Sequence, residues 1–117
     1  MAAVKGPNGF LFVYGSLAPG QSNAHFLAPL KGTWRRAWAR GFLHNAGWAS
    51  GGGYPGLEVD PKGDRVMGQV FSSKDLDGFW PALDAFEAEE DYERVVTTIE
   101  LSNGKFLKAY VYVVGVR

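Results

Sequence analysis

The spacing of apolar residues changes once along the chain, and that change separates strands from a helix. Phe10-Leu11-Phe12-Val13-Tyr14 is a short aromatic and β-branched run that predicts a buried strand. It ends at Gly15-Ser16-Leu17, after which Ala18-Pro19-Gly20 breaks the backbone. Residues 22–30 have room for one helical turn before Pro29. Residues 33–43 read as extended, with Trp34, Arg36, Trp38 and Arg40 on one side at period two. Residues 45–53 form a glycine-rich loop, and residues 54–59 resume a strand. Pro55 puts that strand at a sheet edge, because proline cannot donate to a ladder. Asp60-Pro61-Lys62-Gly63-Asp64 is a turn. The next strand, residues 65–71, sets Val66, Gly68 and Val70 against Met67, Gln69 and Phe71 on opposite sides.

From Ser72 to Glu87 the period lengthens. Leu76, Phe79, Trp80, Leu83 and Phe86 have helical spacing, with Ser72 or Ser73 as the N-cap. Pro81 marks a kink or the first turn of a second short helix. Residues 92–101 and 105–114 then form two strands joined by Ser102-Asn103-Gly104, a hairpin signal. Strands, one main helix and a hairpin predict an α+β fold: a small, mostly antiparallel, β-barrel-like sheet with the helix packed on it. One domain is expected over residues 10–117, after a short flexible lead of residues 1–9.

Composition narrows the chemistry. With 117 residues the chain can bury one core without disulfides or metals. There is no cysteine, which excludes thiol catalysis and Cys-containing zinc sites. The 12 basic and 12 acidic residues cancel, which argues against a mainly electrostatic nucleic-acid binder. No apolar run approaches the roughly 20 residues of a membrane span, and the N-terminus carries no apolar signal core, so a cytoplasmic location without membrane contact is expected.

One carboxylate breaks the helical pattern. At about 100° per residue, Leu76, Trp80, Leu83 and Glu87 fall within roughly 60° of one another, so Glu87 lies on the apolar stripe. Asp77 and Asp84 lie to the side and can stay wet. A buried carboxylate costs several kcal/mol unless it is paired, hydrogen-bonded or protonated. Two readings follow. Either the helix ends before Glu87, which then caps or bridges at the surface, or Glu87 is a general base in a cleft. In the second case desolvation and the acidic neighbours Glu89, Glu90, Asp91 and Glu93 would raise its pKa.

Other signals carry less. Gly51-Gly52-Gly53-Tyr54-Pro55-Gly56 spells a dinucleotide fingerprint, but it follows no clear strand and opens no helix. Residues 34–40 interleave arginines and tryptophans, which suits Arg stems lying on Trp faces better than stacking on bases. His25 and His44 lack metal-ligand spacing. Ser16 lacks the G-x-S-x-G frame of a hydrolase elbow.

Taken together, the motifs resemble one family. Tyr14-Gly15-Ser16-Leu17 after the first strand resembles the signature loop of the gamma-glutamylcyclotransferase-like, or AIG2-like, proteins. Leu83-Asp84-Ala85-Phe86-Glu87 resembles the family's Leu-Asp-x-x-Glu-Gly, and Tyr92-Glu93-Arg94 its Tyr-x-Arg. Gly41-Phe42-Leu43, Tyr54-Pro55-Gly56-Leu57 and Val66-Met67-Gly68-Gln69-Val70 match its spacing between them, so the resemblance covers residues 10–114. Ala88 stands where the family usually has glycine, which predicts a shifted or longer turn after Glu87.

The resemblance implies cyclisation of a small-molecule gamma-glutamyl amide to 5-oxoproline, with release of an amine or amino acid. It implies Glu87 as the general acid/base, backbone N–H groups of Gly15, Ser16 and Leu17 as oxyanion donors, and Tyr14, Tyr54 and Arg94 as further substrate-binding residues. It implies no metal and no organic cofactor. A non-catalytic module that binds a small ligand or a protein on the same scaffold is the alternative. Trp34 and Trp38 are candidates for a homodimer interface.

Overall fold

A computed structural model describes residues 7–14, 24–44, 56–89 and 92–114. Among the described residues there are six strands: β1 (Phe10–Val13), β2 (Thr33–His44), β3 (Gly56–Val59), β4 (Asp64–Ser72), β5 (Tyr92–Leu101) and β6 (Phe106–Val114). A 3₁₀ turn, Ala24–Phe26, precedes β2. A 3₁₀ segment, Lys74–Gly78, leads into the helix α1, Trp80–Ala88.

The strands run in the order β3-β2-β4-β1-β6-β5, and β2 pairs with β5 as well. That extra pairing, Ala37 to Leu101 and Ala39 to Ile99, closes β2, β4, β1, β6 and β5 into a barrel. The β1–β6 pair is parallel and the other pairs are antiparallel, so the barrel is mixed. β3 pairs only with β2, at the edge expected of it. The fold is thus the anticipated α+β barrel with one helix.

A barrel of so few strands has a narrow interior, and the inward side chains are sized to it. Ala37, Ala39 and Ala109 are small and fully enclosed, which leaves room for the Phe12 ring, Val70, Ile99 and Val111. Gly68 lies close against β1. A Cβ there would sit 2.5 Å from the Val13 carbonyl oxygen and 2.7 Å from the Phe12 ring. The outer face is covered as well. Leu11 and Val13 of β1, Phe71 of β4 and Tyr112 of β6 pack against Leu76, Trp80, Leu83 and Leu27. β1 is therefore buried on both faces, which explains why its sequence shows no alternation.

The helical stretch from Ser72 to Glu87 is divided in two. The Ser73 hydroxyl caps the 3₁₀ segment by accepting from Asp75 N at 3.0 Å, and α1 starts afresh at Trp80. Pro81 falls in the first turn of α1, where its missing N–H breaks no helical bond. The second of the two roles expected for Pro81 holds. At the β5–β6 hairpin, Gly104 has φ 86°, and its N–H donates to the Leu101 carbonyl at 2.9 Å. This is a three-residue loop whose last residue is left-handed, a position that favours glycine.

Asn8 and Gly9, which fall in the expected lead, are bonded to the covering layer. The Gly9 carbonyl accepts from Ser73 N at 2.9 Å, and the Asn8 carbonyl accepts from Trp80 Nε1 at 3.0 Å, so these residues are tied to the covering layer. Among the described residues no helix is long and apolar enough to cross a membrane.

Gly68→Ala should lower stability by about 1–3 kcal/mol, because backbone and a buried ring both stand in the way. Urea unfolding measures it. An unchanged midpoint would mean that the barrel has slack at this point.

Candidate functional site

Glu87 lies in the penultimate residue of α1, and the helix does not end before it. Its exposure is only 9%, and with Trp80 and Leu83 it completes the buried side of the helix. The helical period that singled it out therefore describes its actual position. Glu89 after it keeps right-handed angles, φ −64° and ψ −22°. No left-handed residue is needed directly after Glu87, so Ala88 fits where the related motif has glycine.

Tyr14 follows β1 and points into the barrel side of the same region, packed against the interior cluster. Its hydroxyl donates to the Tyr112 carbonyl at 2.7 Å and accepts from Leu57 N at 3.0 Å. One phenol thereby ties the end of β1 to β6 and to β3. Burial pushes the Tyr14 hydroxyl well above the usual tyrosine range. The Leu57 bond opposes this, and the charges of Tyr92 and Glu87 add to it. Tyr14 is thus neutral at physiological pH, and Glu87 is near enough for its charge to be felt there.

Asp84, one turn before Glu87, was expected to stay wet. It is instead the acceptor of a three-bond cluster. Its Oδ1 accepts from Arg94 Nε at 2.9 Å and from the Tyr112 hydroxyl at 2.7 Å, and its Oδ2 accepts from Arg94 Nη2 at 3.0 Å. The Arg94 guanidinium also stacks 4.5 Å from the Trp80 ring centre and 4.3 Å from that of Tyr110. Burial alone would raise the Asp84 carboxyl, but the bonds from Arg94 and Tyr112 outweigh it and hold the group below the usual carboxylate range. The Tyr112 hydroxyl is raised, first by burial and then by its bond to Asp84; Arg94 opposes the rise, and the charge of Glu87 adds to it.

The fold therefore brings Tyr14 and Glu87 together. It places Arg94 on the outer face, gripping α1 through Asp84. Gly15, Ser16, Leu17 and Tyr54 lie outside the described residues. Asp84 and Tyr112 were missed as a pair. The available signals were the three-residue step from Asp84 to Glu87 and the Tyr-x-Tyr of β6, neither of which names a partner. Of the basic and aromatic segment, Trp34 stacks on Phe71 at 4.7 Å, and Trp38 lies under Arg65 at 4.6 Å. Trp38, Arg65, Val96 and Phe106 line a cavity of about 530 Å³ that contains none of the predicted site residues.

Comparison with known proteins fits this architecture. The model of the family described as gamma-glutamyl cyclotransferase, AIG2-like, matches residues 11–117, so the chain belongs to that family. Its fold is similar to that of YkqA from Bacillus subtilis, at 26% identity and a TM-score of 0.70, covering 92% of this chain and 36% of that one. The present chain thus spans only about a third of YkqA's length. A mouse AIG2-like protein is similar at 24% identity and a TM-score of 0.71, covering 92% of this chain and 77% of that one. A solved gamma-glutamyl cyclotransferase is similar at 18% identity and a TM-score of 0.62, covering 92% and 66%. Comparison with curated protein sequences gives no match.

The Asp84 cluster predicts a pH signature. Because its folded pKa is lowered, the stability it contributes is complete above the unfolded value of about 4 and is lost as pH falls through the folded value. Asp84→Asn should cost about 1–2 kcal/mol at pH 7, a modest figure because the Asp84 side chain is 42% exposed. The gap between variant and wild type should close below about pH 4 in urea titrations. A gap independent of pH would remove the ion pair as its source.

Proposed function

We propose that this chain is a gamma-glutamyl cyclotransferase with Glu87 as its acid and base. The observation that carries the reading is a carboxylate on the buried stripe of α1, beside Tyr14 at the end of β1, in a chain of this family.

The reaction needs no nucleophile from the protein, because the substrate supplies its own. The α-ammonium of the glutamyl group gives a proton to the Glu87 carboxylate. The freed amine attacks the γ-carbonyl carbon, forming the C–N bond of a five-membered ring and a tetrahedral oxyanion. Backbone N–H groups of Gly15, Ser16 and Leu17 are the proposed donors to that oxygen. Glu87 then returns its proton to the departing nitrogen as the original amide C–N bond breaks, and the second proton of the ring nitrogen, which the attack leaves as N–H2+, passes by the same carboxylate to the released amine. The products are 5-oxoproline and the free amine or amino acid. One carboxylate thus serves each transfer, with no net proton gained or lost by the protein.

Tyr14 has a more limited part than a free pocket hydroxyl. Its proton is given to the Tyr112 carbonyl, so its ring forms a wall and its anchoring fixes where residues 15–17 begin. Tyr54 is proposed as a second wall of the same pocket. Holding the glutamyl chain curled against these walls supplies the proximity that ring closure requires.

The test is 5-oxoproline release from a panel of gamma-glutamyl amides by wild type and Glu87→Gln. The variant should keep its circular dichroism spectrum and lose at least about 100-fold in kcat. Equal turnover by both proteins would remove Glu87 as the base. A folded wild type that releases 5-oxoproline from no gamma-glutamyl amide would contradict the reading as a whole.

A further inference from the structure

We propose that Arg94 is a positioning residue and not a substrate ligand: with Asp84 and Tyr112 it forms a clamp that sets the roll of α1 and so the aim of Glu87. This inference rests on the reading of Glu87 as the acid and base, and it adds residues that act through Glu87.

The clamp acts on a short helix held largely by apolar packing. The helix has nine residues, and its N-cap, Phe79, makes no side-chain capping bond. Trp80 and Leu83 fix it by apolar packing, as does Phe86, whose ring lies 4.0 Å from that of Phe26. Apolar packing is non-directional and tolerates a small rotation about the helix axis. Asp84 is a directional contact in the second half of the helix, as the Trp80 indole N–H to the Asn8 carbonyl is at its start. It is three residues before Glu87, so the two side chains are neighbours along one flank of the helix.

The donors belong to a paired sheet. Arg94 and Tyr112 are direct cross-strand partners in the β5–β6 ladder, so both reach the same carboxylate from a fixed surface. The guanidinium is planar and bidentate, which defines the plane of Asp84 as well as its distance. The Trp80 and Tyr110 rings, edge-on to each other at 5.0 Å, both lie against the guanidinium. Tyr112 also connects the clamp to the other wall of the site, since its carbonyl accepts from the Tyr14 hydroxyl. The Arg94 side chain is 23% exposed and already has these partners, which leaves it a poor candidate to bind a substrate carboxylate.

The clamp has an electrostatic consequence too. Asp84 would place a second negative charge one turn from Glu87, and Arg94 offsets it. Among the described residues, other ionisable groups near Glu87 include Tyr14 just after β1, Tyr112 of β6 and exposed Glu89 two residues on, and Tyr92 of β5 acts on Tyr14 in turn. Exposed His25 belongs to the 3₁₀ turn that packs on α1 through Phe26. These groups are common to every variant below, and differences between variants therefore report on the clamp.

The experiment follows the Glu87 carboxyl by carbon-13 NMR as pH is varied, in wild type, Arg94→Met, Arg94→Lys and Asp84→Asn. Loss of the Arg94 charge leaves Asp84 uncompensated and should raise the Glu87 midpoint by about 0.5–1 pH unit. Asp84→Asn leaves Arg94 uncompensated and should lower it by a similar amount. Arg94→Lys keeps the cation and should leave the midpoint near that of wild type. Kinetics then separate geometry from charge. Arg94→Lys should lower kcat about tenfold or more with little change in KM, because a misaimed base slows the chemistry and not substrate capture. A rise in KM at unchanged kcat would overturn the proposal and return Arg94 to the substrate. Midpoints that do not move, or that move the same way in Arg94→Met and Asp84→Asn, would also overturn it. The titrations need no substrate, so they decide on the clamp even if no gamma-glutamyl amide is turned over.

Discussion

Tyr112 is held at two points, and the candidate site depends on both. Its hydroxyl donates to Asp84 on α1, while its carbonyl accepts from the Tyr14 hydroxyl at the end of β1. The helix that carries Glu87 and the strand that leads into residues 15–17 are therefore referenced to one residue of β6. β6 is in turn fixed by its parallel pairing with β1 and its antiparallel pairing with β5. Barrel closure thus acts on the site directly. If β2 did not also pair with β5, the β5–β6 hairpin could swing, and the surface that grips α1 would move with it.

Placing a carboxylate on an apolar helix face works against stability, and the surroundings show how the fold tolerates it. The outer cluster of Leu11, Val13, Leu27, Phe71, Leu76, Trp80 and Leu83 anchors the covering layer through shape and area alone. Glu87 sits at the far end of that layer, where the apolar packing gives way to tyrosines. Tyr14 and Tyr112 are both kept neutral by burial, so they surround the acid with polar groups that do not themselves titrate near neutrality. Such an arrangement lets one group change its charge while its neighbours stay fixed, which suits an acid/base role.

Much of this was legible in the order of residues. The helical period placed Glu87 beside Trp80 and Leu83, and the structure buries those same residues. The alternation in β4 put Val66 and Val70 on one side, which the structure turns inward, and the run in β1 indicated a buried strand. Less visible were the relations between distant elements. The parallel β1–β6 pair and the β2–β5 closure depend on which edges meet, and a two-residue period does not encode that. Asp84 was read as solvated because its helix angle points to the flank. Nothing in the local pattern shows that Arg94 and Tyr112, on two other strands, converge there. The Tyr14 hydroxyl was hidden for the same reason, since both of its partners are backbone groups far along the chain. Pro81 gave a sound hint of a broken helix, because its effect on the backbone is local.

The most direct measurement of the central claim is a crystal structure with 5-oxoproline bound. The account predicts the lactam nitrogen within about 2.6–3.2 Å of a Glu87 carboxylate oxygen, the reach a general base requires. It also predicts the ring carbonyl turned toward the backbone of residues 15–17, with the Asp84–Arg94 pair intact behind it. 5-Oxoproline bound with its nitrogen away from Glu87, or with its carboxylate on the Arg94 guanidinium, would contradict the account.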